Sequence, residues 1–282
     1  MTILAAVALL VAQAAASTEV RTVMITAIDK KGVPIEGLGP EEIAVIENGT
    51  PRSLSGLVRD QRPLTLMFLL DTSQVMASDF RLNVRDAVIS FLRSLPEGSV
   101  YSLWTTGDRP TKAVDFTADP DEALKALNRV YPQGGNTMLD AIAEASSELK
   151  KKEGERSVVV IVTAMGVSFS SRFRQQVVEA ARDNADVFMA VQIDEGKADF
   201  ETQTAYDYVL GELTRATGGS NERILSFLGL RGALQQVTAE LRGQYLLSYL
   251  TPVDLKERKI EVKVARPDVR IRVGSGRRNR SS

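Results

Sequence analysis

A carboxylate and two hydroxyls stand together where an apolar run stops: Asp71-Thr72-Ser73-Gln74-Val75-Met76 follows residues 63–70. A second polar group, Gly134-Gly135-Asn136-Thr137, precedes a helical pattern, and Thr163-Ala164-Met165-Gly166 closes another apolar run. The local chemistry of such groups is backbone capping. Asp71 and Ser73 sit at a strand end before a helix, where short polar side chains favour turns and caps, and Thr137 with Asp140 has the spacing of a variant capping box. Much enzyme chemistry is excluded. With no cysteine and no histidine, there can be no disulfide, thiolate nucleophile, Cys/His zinc site or imidazole-based triad. No phosphate-binding glycine loop and no Gly-x-Ser-x-Gly elbow is present. Carboxylates are numerous, but none has a spacing that demands acid/base work, so a hydrolase built on paired carboxylates is the weakest of three functional readings.

Taken in order, the three groups resemble the metal-ion-dependent adhesion site of von Willebrand factor A (VWA) domains, whose first loop reads Asp-x-Ser-x-Ser-Met. The resemblance implies Mg²⁺ held by side-chain oxygens from three loops, with one position left for an acidic group on a partner. Asp71, Ser73 and Thr137 match the family's ligands; Val75 and Ala164 stand where two others belong. Magnesium wants near-octahedral oxygen coordination and sheds water reluctantly, and neither side chain offers an oxygen. The expectation is weak or no metal binding and no other cofactor, leaving a metal-independent protein-binding module. Metal-dependent adhesion, completed by a partner carboxylate, stays open as the alternative. Asp108, after Gly107, is the nearest substitute carboxylate, with a solvated loop aspartate as its other reading.

These loops need a rigid mount. Residues 64–70, 157–162 and 187–193 are the continuous apolar runs of buried parallel strands, and 99–105 is a more polar one. Helical periods join them: Val84, Val88, Phe91 and Leu95; Met138, Ile142, Ala145 and Leu149; Phe173, Val177 and Ala181. Tyr206, Val209, Leu213 and Ala216, then Leu230, Leu234, Val237 and Leu241, complete the pattern, with a shorter helix over 119–131. The class is α/β, a mostly parallel Rossmann-like sheet covered by helices, and Trp104 falls within its core.

The flanks differ. Residues 19–29, 42–47 and 53–58 read as short strands, with Asn48-Gly49 as the turn between the last two. Ile260, Val262 and Val264, then Val269, Ile271 and Val273, alternate with polar neighbours across an Arg266-Pro267-Asp268 turn. Neither flank has strands enough for its own core, so both ends are expected to combine into one antiparallel β domain, a sandwich, with the VWA domain inserted. The order from Asp29-x-x-Gly32-x-Pro34 through Ile46-Glu47-Asn48-Gly49 to Gln244-Tyr245-Leu246-Leu247-Ser248-Tyr249 resembles bacterial secreted VWFA-related proteins.

The resulting division is 1–16 signal peptide, 17–62 and 243–274 β domain, 63–242 VWA domain, and 275–282 flexible basic tail. The start is apolar and ends in Ala-x-Ala, with cleavage expected after Ala14 or Ala16, although no Lys or Arg precedes it. Secretion or a periplasmic location follows, with no stable membrane anchor in the mature chain. A net charge of -1 gives no field to recommend nucleic acid as partner; the partner class is protein. Asn48-Gly49-Thr50 and Asn279-Arg280-Ser281 match the glycosylation sequon and are read as unmodified.

Overall fold

The structure, a computed structural model, describes residues 17–274 except 153–155, 195–197, 254, 256 and 257. The expected signal peptide, basic tail and second sequon lie outside the described residues. A six-stranded sheet forms the centre, built from β5 (Thr65–Leu70), β6 (Val100–Thr106), β7 (Pro110–Thr117), β8 (Ser157–Thr163), β9 (Val187–Ile193) and β10 (Asn221–Ile224). Its order is β10-β9-β8-β5-β6-β7. All neighbours are parallel except β6 and β7.

Side chains alternate across a strand, and the apolar runs divide accordingly. Leu66, Phe68 and Leu70 face α1 (Arg85–Arg93), α2 (Pro120–Leu127) and α6 (Leu230–Arg242). Met67 and Leu69 face α3 (Met138–Lys151), α4 (Arg174–Ala181) and α5 (Phe200–Thr217). Helix ends follow local chemistry. Asp119 caps α2 by accepting from the Asp121 N–H, with Pro120 at the first helical position, and Asp199 caps α5 through the Thr202 N–H. Gly218 ends α5 in the left-handed region at φ +71°. Trp104 is buried, as its pattern suggests. Phe173 is not core: it precedes α4 and is exposed.

Both chain ends supply the remaining sheets. Here β1 (Thr18–Ile28), β4 (Leu54–Arg59), β11 (Gln244–Pro252) and β13 (Arg270–Val273) form one antiparallel sheet, ordered β13-β1-β11-β4. The other contains β2 (Ile43–Glu47), β3 (Thr50–Arg52) and β12 (Ile260–Val264). They enclose a core of Val23, Ile25, Val45, Tyr245, Leu247 and Tyr249. Two pairings differ from expectation. The Asn48-Gly49 turn joins β2 to the three-residue β3, while β4 crosses to pair with β11. Likewise β12 and β13 are not a hairpin, since β12 pairs with β2 and β13 with β1. In each case a strand whose apolar side faces the shared core is sent to the opposite sheet.

Candidate functional site

The sheet order reverses at β5: the chain proceeds to β6 on one side and, later, to β8 on the other. The carboxyl ends of these strands therefore open a crevice, the usual place for ligands in an open parallel sheet. Asp71 follows β5, Gly107 follows β6 and Ala164 follows β8. The connection from α2 to α3 brings residues 133–137 over the same spot, tied down by bonds from the Gln133 N–H to the Thr72 carbonyl and from the Gln74 N–H to the Gly134 carbonyl.

Asp71 is fully buried and its carboxylate is engaged on both oxygens. Oδ1 accepts from the Ser73 N–H at 2.8 Å. Oδ2 accepts from Asn136 Nδ2 at 2.6 Å, Thr163 Oγ1 at 3.0 Å and the Ala164 N–H at 2.9 Å. Burial pushes this carboxyl above its ordinary range, opposed by Ser73, the Ala164 N–H and the Thr163 hydroxyl. The buried Tyr206 hydroxyl is raised well above its usual value by burial and by the charges of Asp71 and Asp140.

Asn136 organises the site, and sequence reading missed it. Wholly buried, its amide donates to Asp71 Oδ2 and to Thr163 Oγ1 at 3.0 Å. Its oxygen accepts from Thr106 Oγ1 at 3.0 Å and the Met138 N–H at 2.9 Å. The Met138 N–H can only donate, which fixes the amide orientation, and all four hydrogen-bonding positions are then filled. The ends of β5, β6 and β8 and the start of α3 are joined by one side chain. The signal was an Asn immediately before a helical period, and it reads locally as a cap.

The other site residues divide. Ser73 is buried, and its Oγ has no hydrogen-bond partner among the described residues. Thr137 donates its hydroxyl to the Gly107 carbonyl at 3.1 Å and makes no side-chain cap for α3, so the expected Thr-x-x-Asp capping box does not form. Asn136 caps instead. Asp140 turns away to accept from the Ser171 and Arg172 N–H groups at 2.8 and 3.0 Å. Val75 packs against the hydrophobic core, and a Cβ on Gly166 would meet its Cγ2 at 2.7 Å and Ser73 Oγ at 3.1 Å. Ala164 is buried in the same core. Asp108 is exposed, lies against Gly134 and lines a cavity beside the crevice; none of the donors to Asp71 comes from it.

Residues 164–173 are laid across the crevice. The Asn136 N–H donates to the Val167 carbonyl and the Phe169 N–H to the Asn136 carbonyl, at 2.8 and 2.9 Å. Gly135 allows the Phe169 ring to rest directly over its backbone, where a Cβ would collide with it. Met165 adopts a left-handed conformation at φ +50°, a strain of about 1–3 kcal/mol in a non-glycine residue. The loop thus presents Val167, Phe169 and Phe173 outward, at 60%, 57% and 75% exposure.

Sheet order, helix placement and crevice define a VWA-type α/β fold. Residues 66–166 match the family model of the von Willebrand factor type A domain. Among solved structures, the chain is similar to a von Willebrand factor type A protein from Catenulispora acidiphila, with TM-score 0.54 and 11% identity over 93% of this chain and 74% of that one. It is also similar to proximal thread matrix protein 1 from the mussel byssus, which was solved with a zinc-occupied MIDAS motif. There the TM-score is 0.54 and the identity 16%, over 70% of this chain and 49% of that one. The chain spans about half the mussel protein. At such identities the likeness is one of fold. No curated protein matches.

Proposed function

We propose that this chain is a non-enzymatic, extracytoplasmic interaction module that binds a protein partner along the carboxyl-end rim of its parallel sheet, without a resident divalent cation. The carrying observation is where large apolar side chains are exposed. On the α/β unit they gather in the connections at that rim: Leu82 after β5, Val167, Phe169 and Phe173 after β8, and Phe200 after β9. Leu225 and Leu228 after β10 and Tyr131 before α3 belong to the same end; among the described residues only Tyr208 lies elsewhere on the unit. Apolar residues concentrated on one face mark an interaction surface, and loops on a rigid sheet are where binding residues reside.

The metal-free part of the reading rests on the donor set. A divalent cation of the magnesium type needs about six oxygens. Asp71 is already spent on four protein donors, Thr137 is donated to a carbonyl, and Val75 and Ala164 supply hydrocarbon. No group of three or more acidic side chains that could hold a metal converges among the described residues, which favours binding over metal-assisted catalysis. These residues do not fit a resident cation. One observation supports the alternative: the buried Ser73 Oγ, beside the Asp71 carboxylate and without a well-formed hydrogen bond among the described residues, would suit a cation whose shell a partner carboxylate completes, as a zinc-occupied motif in the mussel protein invites.

The extracytoplasmic placement rests on the apolar start ending in Ala-x-Ala; among the described residues no helix is long and apolar enough to cross a membrane. The test pairs the mature protein with its Phe169→Asp/Phe173→Asp variant in affinity capture from the producing cell envelope, with and without EDTA. A partner retained by wild type, lost by the variant and indifferent to chelation is expected. Loss in EDTA with rescue by Mg²⁺ selects the alternative, and equal retention by the variant defeats the rim reading.

A further inference from the structure

One corner of the rim is more specific than an apolar face. Two adjoining cavities share Val130 and Tyr131 of the connection from α2 to α3, one lying between that connection and the β6–β7 hairpin and the other between it and residues 77–82. The first, of 270 Å³, is polar: Thr72, Thr105 and Gln133 wall it, with Arg109 and Asp108 at its edge. The second, of 410 Å³, is mainly apolar and is lined by Ala77, Phe80, Leu82 and Pro132, with Arg81 alongside. A cavity of about 150 Å³ already admits a benzene ring, so each lobe has room for a side chain. Phe80 is buried; Tyr131 and Leu82, which also line the groove, are 71% and 77% exposed to water.

Charge decides what fits. The Arg109 side chain has no hydrogen-bond or ion-pair partner among the described residues. Arg81 lies over the Tyr131 ring, its Cζ 5.3 Å from the centroid, and no carboxylate pairs with it among the described residues. Against two guanidiniums stands one lining carboxylate, Asp108. Asp79, nearby in the chain, is spent on Ser78 and Asn83. A planar guanidinium beside threonine hydroxyls suits a carboxylate, and Tyr with Arg is the pairing found in interface anchors.

Resting on the rim reading above, we infer that this groove takes an extended segment of the partner protein that carries a large apolar side chain close in sequence to an Asp or Glu. The apolar side chain enters beside Leu82 and Phe80, the carboxylate meets Arg109, and Tyr131 lies between them as the shared wall. Residues i and i+2 of an extended peptide point to the same side, which lets one segment fill both lobes. This site lies next to the Asp71 crevice and uses none of its buried groups except Thr72 at the lip.

The experiment titrates acetylated, amidated hexapeptides into the isotope-labelled mature protein and follows backbone amide resonances. One peptide carries Phe two residues from Asp, and its controls replace Asp by Asn or Phe by Ala. Expected is movement of the Leu82, Arg109 and Tyr131 resonances by the Phe/Asp peptide, with binding about fivefold weaker for the Asn control, the size of an exposed ion pair. Arg109→Ala should erase the preference for acid over amide, Tyr131→Ala should abolish binding of both, and Asp108→Asn should tighten the acidic peptide. All three residues are exposed, so these variants fold. Equal binding of acid and amide peptides, movement confined to other surfaces, or no movement at millimolar peptide overturns the inference. If the peptides fail while the Phe169/Phe173 variant still loses its captured partner, the groove falls and the rim stands; if both fail, both fall.

Discussion

At the scale of single residues the site depends on Asn136 more than on the motif residues around it. Its two N–H groups and its oxygen bridge Asp71, Thr163, Thr106 and the Met138 N–H, so truncation orphans several buried polar groups at once. Each unsatisfied group costs about 1–3 kcal/mol. Asn136→Ala should therefore lose about 3 kcal/mol or more in urea unfolding, and a loss under about 1 kcal/mol would show that water replaces the amide without penalty. Asn136→Asp keeps the shape but sets an acceptor against Asp71 Oδ2. Asp71, Ser73 and Thr137 were legible because three short strings occur in order. Asn136 was not: its partners lie 65 and 27 residues away, and no local spacing records their convergence. The Thr137–Asp140 pair shows the opposite error, since a local spacing suggested a cap while the neighbouring Asn136 and the loop at 171–172 were better placed to use those groups.

At the scale of elements, periodicity carried the α/β unit because apolar runs and helical stripes report burial directly. It failed for strand partners, since the alternation in β4, β12 and β13 says which side is buried and not which sheet receives the strand. The short edge strand β10 and the polar β7 carry little apolar signal of their own. The best-defined helix end is Gly218, whose left-handed φ suits glycine; an added Cβ would also meet the Gly274 N at 2.6 Å and the Val273 carbonyl carbon at 2.9 Å. There the end of α5 touches the end of β13. Gly37 is a natural comparison, with φ +62° and open space around it. Gly37→Ala should cost about 1 kcal/mol, the conformational penalty alone. Gly218→Ala should cost roughly 1–2 kcal/mol more, because backbone must move. Equal melting temperatures for the two variants would mean that the α5–β13 contact yields freely.

At the scale of the whole molecule, buried charges hold the sandwich together and fasten it to the α/β unit. Within the sandwich, Glu47 is buried and receives Arg52 Nε and Arg258 Nη1, each at 3.0 Å, the Tyr249 hydroxyl at 3.1 Å, and Thr251. Burial alone would raise its carboxyl, but these donors outweigh it and hold it below the ordinary value, while burial, with the Glu47 charge, pushes Tyr249 up to about 12. A depressed carboxyl stabilises the fold above its unfolded value, about 4.3, and that contribution disappears as pH falls through the folded value. Glu47→Gln should therefore flatten the loss of stability between neutral and acid pH in urea titrations; an unchanged slope would exclude Glu47 as a source of acid lability.

One deeply buried link between the two units is Arg156, which precedes β8 and is 1% exposed. Its guanidinium donates to the Asp60 carbonyl at 3.1 Å, the Leu241 carbonyl and Gln244 Oε1 at 2.6 Å, with the Asp60 carboxylate 3.4 Å away. Gln244 in turn donates to Thr26, and Thr26 to the Gly218 carbonyl. One side chain thus links the strand entering the parallel sheet, the end of α6 and the first residue of β11. In sequence Arg156 closes a Lys-Lys-Glu-Gly-Glu-Arg run that reads as a solvated loop, so nothing local announces its burial. Breaking a buried charge cluster by removing one partner costs about 3–5 kcal/mol. Asp60 keeps Arg62, at 2.8 Å on both oxygens, which should hold Arg156→Met near the lower end. The more telling outcome concerns cooperativity. Trp104 reports the α/β unit alone, whereas calorimetry sees the entire chain. With Arg156 replaced, Trp104 fluorescence and the calorimetric transition should separate, because Gln244 and the end of α6 lose the group that couples them. A single coincident transition, shifted by less than about 1 kcal/mol, would mean that the remaining links suffice to join the units: Met24 against the α6 face of the core, Arg272 with Glu240, and Arg59 and Gln236 on the Arg242 and Gly32 carbonyls.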